Sequence, residues 1–127
     1  MLTAQPPLVL DPKALPVVLG AGLSPGVHVF SLINRSGLLL GFAGDSDISP
    51  RISAIAASMW TSHEKADGAG GLDCLLVECE DGRLAIKAVG GFILACCADA
   101  SVPFKLLRAL AEGLREQLQP QLSQIGS

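Results

Sequence analysis

Charge is what this sequence has least of. Only 17% of its 127 residues are Asp, Glu, Lys or Arg, while 50% are apolar, and the mean hydropathy is +0.49. A chain so rich in apolar side chains is not disordered. Its length is that of a single domain able to bury a real core. No apolar run reaches the roughly 20 residues of a membrane-spanning helix, so no direct membrane insertion is expected. No basic stripe occurs, and the net charge is −3 with a pI of about 5.2. Nucleic acid is therefore not an expected partner.

Metal and disulfide patterns are missing too. The four cysteines, Cys74, Cys79, Cys96 and Cys97, form no C-x-x-C pair. Cys74 and Cys79 are an odd number of residues apart, so on one strand they point to opposite faces, and the adjacent Cys96 and Cys97 also diverge. This is how small buried hydrophobes are used in a reducing compartment, not a disulfide frame or a zinc site. The N-terminus lacks the basic-then-apolar pattern of a secretory signal. Residue 2 is Leu rather than Gly, and no prenylation box ends the chain, so any attachment to a membrane is expected to run through a partner.

Catalytic constellations are equally scarce. There is no G-x-S-x-G elbow and no phosphate loop, and Gly20-Ala21-Gly22 lacks the third glycine of a dinucleotide site. Asp45-Ser46-Asp47 lacks the further ligands of a calcium loop and reads as a helix cap or a solvated loop. His28 and His63 read as surface or interface histidines, and Arg51 and Arg35 as exposed arginines rather than arginine fingers. No enzyme, cofactor or metal is expected.

What is present is a series of short apolar elements divided by turn signals. Residues 1–10 carry Pro6-Pro7 and no periodicity, which predicts a loose N-terminal arm before a single domain over 11–127. Asp11-Pro12 predicts a helix start, with a short helix from about Lys13 to Leu19. Strands are predicted over Val27–Ile33 and Leu38–Ala43, joined by Asn34-Arg35-Ser36-Gly37. Ser49-Pro50 opens a helix running to about Lys65. Strands follow over Leu72–Cys79, Leu84–Val89 and Phe92–Ala98, then a helix over about Pro103–Leu118. Its expected apolar stripe is Leu106, Leu107, Leu110, Leu114 and Leu118. Lys105, Arg108, Glu112, Arg115 and Glu116 are expected to solvate its other face, and Pro120 to end or kink it. Three short turns in succession predict an antiparallel meander with helices on both faces.

The helix over 49–65 is the unusual element. From Ile52 to His63 it carries no charged residue. Ile52, Ile55, Ala56, Met59 and Trp60 recur at the spacing of one helical face. The reverse face holds Ser53, Ala54, Ala57, Ser58 and Thr61, all small. A helix on its own domain needs one apolar face and normally turns Lys and Glu outward. This one predicts two covers, its own sheet under the large face and a closely packed partner protein against the small face.

The collinear series Leu10-Asp11-Pro12-Lys13-Ala14-Leu15, Ile33-Asn34-Arg35-Ser36-Gly37-Leu38-Leu39, Ala56-Ala57-Ser58-Met59-Trp60 and Glu80-Asp81-Gly82-Arg83-Leu84-Ala85-Ile86, with Gly-Asp-x-Asp before the central helix and the 119–124 tail, resembles the roadblock (dynein light chain) family. The similarity covers about residues 10 to 125 and is greatest to roadblock subunits of the Ragulator complex, the late endosomal and lysosomal adaptor that activates MAPK and TOR signalling. The chain departs from that pattern in its first nine residues and in a shortened glycine-rich loop at 68–71.

The resemblance implies an α/β domain of the α+β type. Its five-stranded antiparallel sheet has order 2-1-5-4-3, with one helix on one face and two on the other. It implies a heterodimer with a second roadblock-fold protein, the Ragulator's third subunit, in which central helices pack together and third strands join into one sheet. The third strand, with no Pro, Lys or bulge signal, would then be an unprotected edge. The expected interface is Ile52, Ala54, Ile55, Ala57, Ser58, Met59, Trp60 and Thr61 with Leu75 and Val77, and Ala57→Arg should abolish pairing while sparing the helix. Further implied partners are a lipidated Ragulator anchor subunit, Rag-type small GTPases and a MAP-kinase module, on the cytoplasmic face of the late endosome or lysosome. The rival function is a roadblock homodimer that acts as a small-GTPase activating protein, or a dynein-type cargo adaptor.

Overall fold

The computed structural model describes residues 14–67, 74–79 and 82–125, with the side chains of 66–67 and 121–125 left aside. The arm expected over 1–10 and the start expected at Asp11-Pro12 lie outside these residues. Three helices and five strands follow in the order α1 (Leu15–Gly20), β1 (Val27–Ile33), β2 (Leu39–Gly44), α2 (Ser49–Asp67), β3 (Cys74–Cys79), β4 (Gly82–Val89), β5 (Phe92–Ala98) and α3 (Phe104–Ile125). The sheet order is β2-β1-β5-β4-β3, and every pairing is antiparallel. This is the α+β arrangement that the resemblance implied.

Turn chemistry sets the hairpins. The Asn34 carboxamide oxygen accepts the Ser36 and Leu38 amides at 3.0 and 2.9 Å and the Ser36 hydroxyl at 2.7 Å. Gly37 follows at φ +97, a conformation that side chains with a Cβ resist. Asp45 also turns the chain, its carboxylate accepting the Asp47 amide at 2.8 Å.

Alternation along the strands divides the core in two. On one side Phe30, Leu32, Ala85, Val89, Leu94 and Cys96 meet α1 and α3 through Leu15, Leu19, Leu107, Ala111, Leu114 and Leu118. On the other, Val29, Ile33, Leu84, Ile86, Ile93 and Ala95 meet α2 through Ile52, Ala56, Ala57 and Trp60. So α2 covers one face alone and α1 and α3 share the other.

Three expectations need correction. Helix α3 continues past Pro120 to Ile125. The proline removes one backbone bond, to the carbonyl of Glu116; both residues are exposed, so water can replace it. Leu106 is exposed rather than part of the buried stripe. Glu112 does not solvate the outer face but turns inward, where Lys87, only 1% exposed, donates to it at 2.9 Å. Arg115 donates to the same carboxylate at 2.8 Å and also reaches Gln119. Hydrogen bonds from Arg115 and then Lys87 lower the Glu112 carboxyl to about 2. A charge buried on β4 is thus neutralised by the helix that covers it. At the start of α3, Arg83 lies 4.4 Å over the Phe104 ring and donates to the Val102 carbonyl at 2.9 Å.

Candidate interaction surface

Helix α2 is seated on β1, β5 and β2. Its start is tied down from within: the Ser49 and Ser31 hydroxyls lie 3.2 Å apart in the core, and Ser53 donates to the Ser49 carbonyl at 2.9 Å. That small-residue contact fixes how the helix is rotated. The buried stripe is Ile52, Ser53, Ala56, Ala57 and Trp60. Ser53 and Ala57, placed by sequence on the partner-facing side, lie inside; Ala57 is 6% exposed. A side chain at Gly37 would meet the Ala57 methyl at 3.6 Å, so the hairpin loop closes over that flank. The test proposed on Ala57 is therefore corrected, because Ala57→Arg would strike the core.

The outward positions are Arg51, Ala54, Ile55, Ser58, Ser62, His63 and Lys65, with Met59 and Thr61 half-buried. Ile55, assigned by size to the sheet-facing side, is 45% exposed. It faces a cleft of about 340 Å³ walled by Ile48 just before α2, Arg51, Ile52 and Ile55 on α2, His28 on β1, Gly82, Arg83 and Leu84 on β4, Cys79 on β3 and Cys97 on β5. Leu75 and Val77 of β3 join the same apolar cluster as partly covered members. The structure thus brings Ile52, Ile55, Met59, Leu75 and Val77 to one side of the sheet. Ala54, Ser58 and Thr61 line a shallower groove between α2 and the β1–β2 loop.

His28 Nε2 lies 2.6 Å from Asp99 Oδ1 at one end of the cleft. Arg35 of the hairpin loop donates to Glu64 at 2.7 Å. Burial, then the nearby Cys79 thiol, push the Cys97 thiol up. Burial does the same to Cys96. Among the described residues no three His, Cys, Asp or Glu side chains gather where a metal ion could sit, and no helix is long and apolar enough to cross a membrane.

The strand beside the cleft is a true edge. Strand β3 pairs with β4 from Cys74↔Lys87 to Cys79↔Gly82 without a register shift, and among the described residues its other side has no neighbour in the sheet. Leu76 is 39% exposed on it. Sequence reasoning missed the cleft itself, whose signal was present in the isoleucine triplet Ile48, Ile52 and Ile55.

No family model matches the sequence. Solved structures do. The Roadblock/LC7 domain from Streptomyces avermitilis has a TM-score of 0.75 at 20% identity, over 84% of this chain and 96% of that one. A structure of MglB in a tetrameric arrangement gives 0.74 at 19% identity, over 95% and 98%. Myxococcus xanthus MglB gives 0.71 at 16% identity, over 98% and 93%. The fold is the Roadblock/LC7 fold.

Proposed function

We propose that this Roadblock/LC7-fold chain is a non-catalytic scaffold subunit that works by pairing with a second roadblock-fold protein. The observation that carries the reading is one surface: a regular edge strand with no further neighbour among the described residues, beside a cleft lined by Ile52, Ile55 and Leu84 with Arg51 and Arg83 at its polar side, and the charge-free run of α2 from Ile52 to His63. An open apolar edge invites strand addition or aggregation. A partner strand laid on β3 would satisfy its backbone, and the partner's helix would fill the cleft beside Ile55 and Met59. Burial of that apolar surface, about 25 cal/mol per Å² as an upper figure, would hold the pair.

The finer reading rests on the collinear motifs from Leu10 to Gln124. By that resemblance the chain acts as the second subunit of a Ragulator-like complex and takes the third subunit as its heterodimer partner. A lipidated anchor subunit would hold the pair to the cytoplasmic face of the late endosome or lysosome. There it would dock Rag-type GTPases and a MAP-kinase module for nutrient signalling through TOR.

Size-exclusion with light scattering tests this, on the chain alone and co-expressed with a candidate roadblock partner. A stable one-to-one heterodimer is the expected result, and Ser58→Arg should dissolve it without lowering the melting temperature. A clean homodimer indifferent to the partner would favour a small-GTPase regulator or a dynein-type adaptor, and a soluble monomer in both samples would defeat the pairing reading.

A further inference from the structure

The side of the sheet away from α2 also leaves apolar groups in solvent. Val17 of α1 is 73% exposed and Leu106 of α3 is 43% exposed. Both flank one feature, a groove of about 220 Å³ between the end of α1 and α3. Ala21, just after α1, stands on one side of it, and Ala109, Leu110, Gly113 and Gln117 of α3 stand on the other. Val17 lies one turn before Ala21 and Leu106 one turn before Leu110, so each continues its side of the groove along a helical row. Among the described residues no ionisable side chain lines it.

Gly113 is a second, separate sign of an occupant. Glycine inside a helix costs stability relative to alanine, and its use is to let another group come close to the backbone. Here no group of the domain does so: a Cβ at the exposed Gly113 would meet nothing within 4 Å among the described residues. The backbone of α3 is therefore bare along the groove and open to close approach from outside.

The chain holds a segment of matching chemistry. The described residues begin at Ala14, and the thirteen before it include the charge-free run Pro6-Pro7-Leu8-Val9-Leu10. Only Asp11-Pro12-Lys13 separates that run from Ala14, and Asp followed by Pro suits a tight turn. Ala14 to Ala21 is about 10 Å along the helix. Five extended residues span about 16–18 Å, enough to run back past Ala21. The two prolines bring no N–H that an apolar groove would leave unpaired. We infer that Leu8, Val9 and Leu10 fold back into the α1–α3 groove of their own chain and close it. Tethering favours this occupant over a free one, since a short linker gives an effective concentration of roughly millimolar. The groove lies across the sheet from α2, so this docking is independent of the pairing surface.

Photo-crosslinking of the full chain tests this. A diazirine amino acid replaces Val9, the protein is irradiated, and mass spectrometry locates the bond formed. Mixing isotopically heavy and light chains identifies any product that joins two copies. The expected product lies within one chain and ends on α3 between Leu106 and Gln117. Gly113→Leu fills the groove from an exposed position and should cut that product about tenfold, the equilibrium worth of roughly one buried leucine side chain, without lowering the melting temperature. Leu8→Asp with Leu10→Asp changes only the arm and should cut it as far, which keeps the test decisive if Gly113→Leu folds poorly. A product confined to α1, one on α2 or β3, one joining two chains, or none at all overturns the inference. So does a product on α3 that survives both variants.

Discussion

The two edges of the sheet are treated in opposite ways. At the β2 edge the ladder is broken, since Leu32 pairs with Gly41 but Ile33 pairs with Leu39, leaving Leu40 as an extra residue. A bulge of this kind twists an edge away from any incoming strand. Helix α1 presses on the same strand so closely that a Cβ at Gly41 would lie 2.5 Å from Leu15. On the α2 side the hairpin loop meets Ala57. At the β3 edge the pairing is regular, the strand is apolar, and the neighbouring flank of α2 opens onto a cleft. One edge is closed by its own chain, and the other carries no neighbour among the described residues.

The sharpest way to break this contrast is within α2, at two adjacent residues. Ala57→Arg forces a charge between helix and hairpin loop and should cost about 3 kcal/mol or more of stability. Ser58→Arg should leave stability within about 0.5 kcal/mol and abolish pairing. Urea denaturation read beside co-purification separates them, and equal destabilisation by both would show that the buried and the outward positions of α2 are not distinct. Next in size, Gly41→Val overfills the contact with Leu15 and should cost about 1–3 kcal/mol. Pairing through β3 should survive it once the protein is folded, as light scattering at low temperature would show.

Smaller effects sharpen the comparison from the other edge. Leu76→Lys supplies the charge that protected edge strands usually carry. The variant should melt within a few degrees of the unchanged chain while losing most of its partner binding by titration calorimetry. The smallest effect belongs to Glu112, held by Arg115 and Lys87. The Glu112 carboxyl is depressed, so its contribution is present above its ordinary value of 4.5 and is lost as pH falls toward about 2. At 36% exposure the side chain is partly screened by water, which keeps the effect modest. Glu112→Gln should flatten the acid limb of stability between these values without altering pairing. An unchanged limb in that variant would assign the acid dependence to another carboxylate.

The order of elements was legible because turn residues such as Asn34, Asp45 and Gly37 act locally, and their signals do not depend on the rest of the chain. The rotation of α2 was not. With no charge between Ile52 and His63, hydropathy offers nothing to decide which flank faces water, and size misled: Ile55 lies outward while Ser53 and Ala57 lie inward. What orients the helix is the non-local contact of Ser49 with Ser31, together with Gly37 over Ala57. The inward turn of Glu112 was hidden for a similar reason. Alternation put Lys87 on the face away from Leu84 and Ile86, but only the placement of α3 over that face shows that a carboxylate must follow it. The edge role of β3 came from the resemblance and its lack of protection, and it needed no side-chain detail.

Trp60 adds a practical consequence. It is the sole tryptophan in a chain without tyrosine, and it sits fully enclosed between α2 and the sheet. Its emission therefore reports whether α2 is seated, while the exposed positions of the same helix, among them Ser58, lie on the side where a partner would arrive. Fluorescence on this protein should follow loss of the fold and remain nearly silent to loss of the partner, so the two events can be timed separately in one sample with no label added.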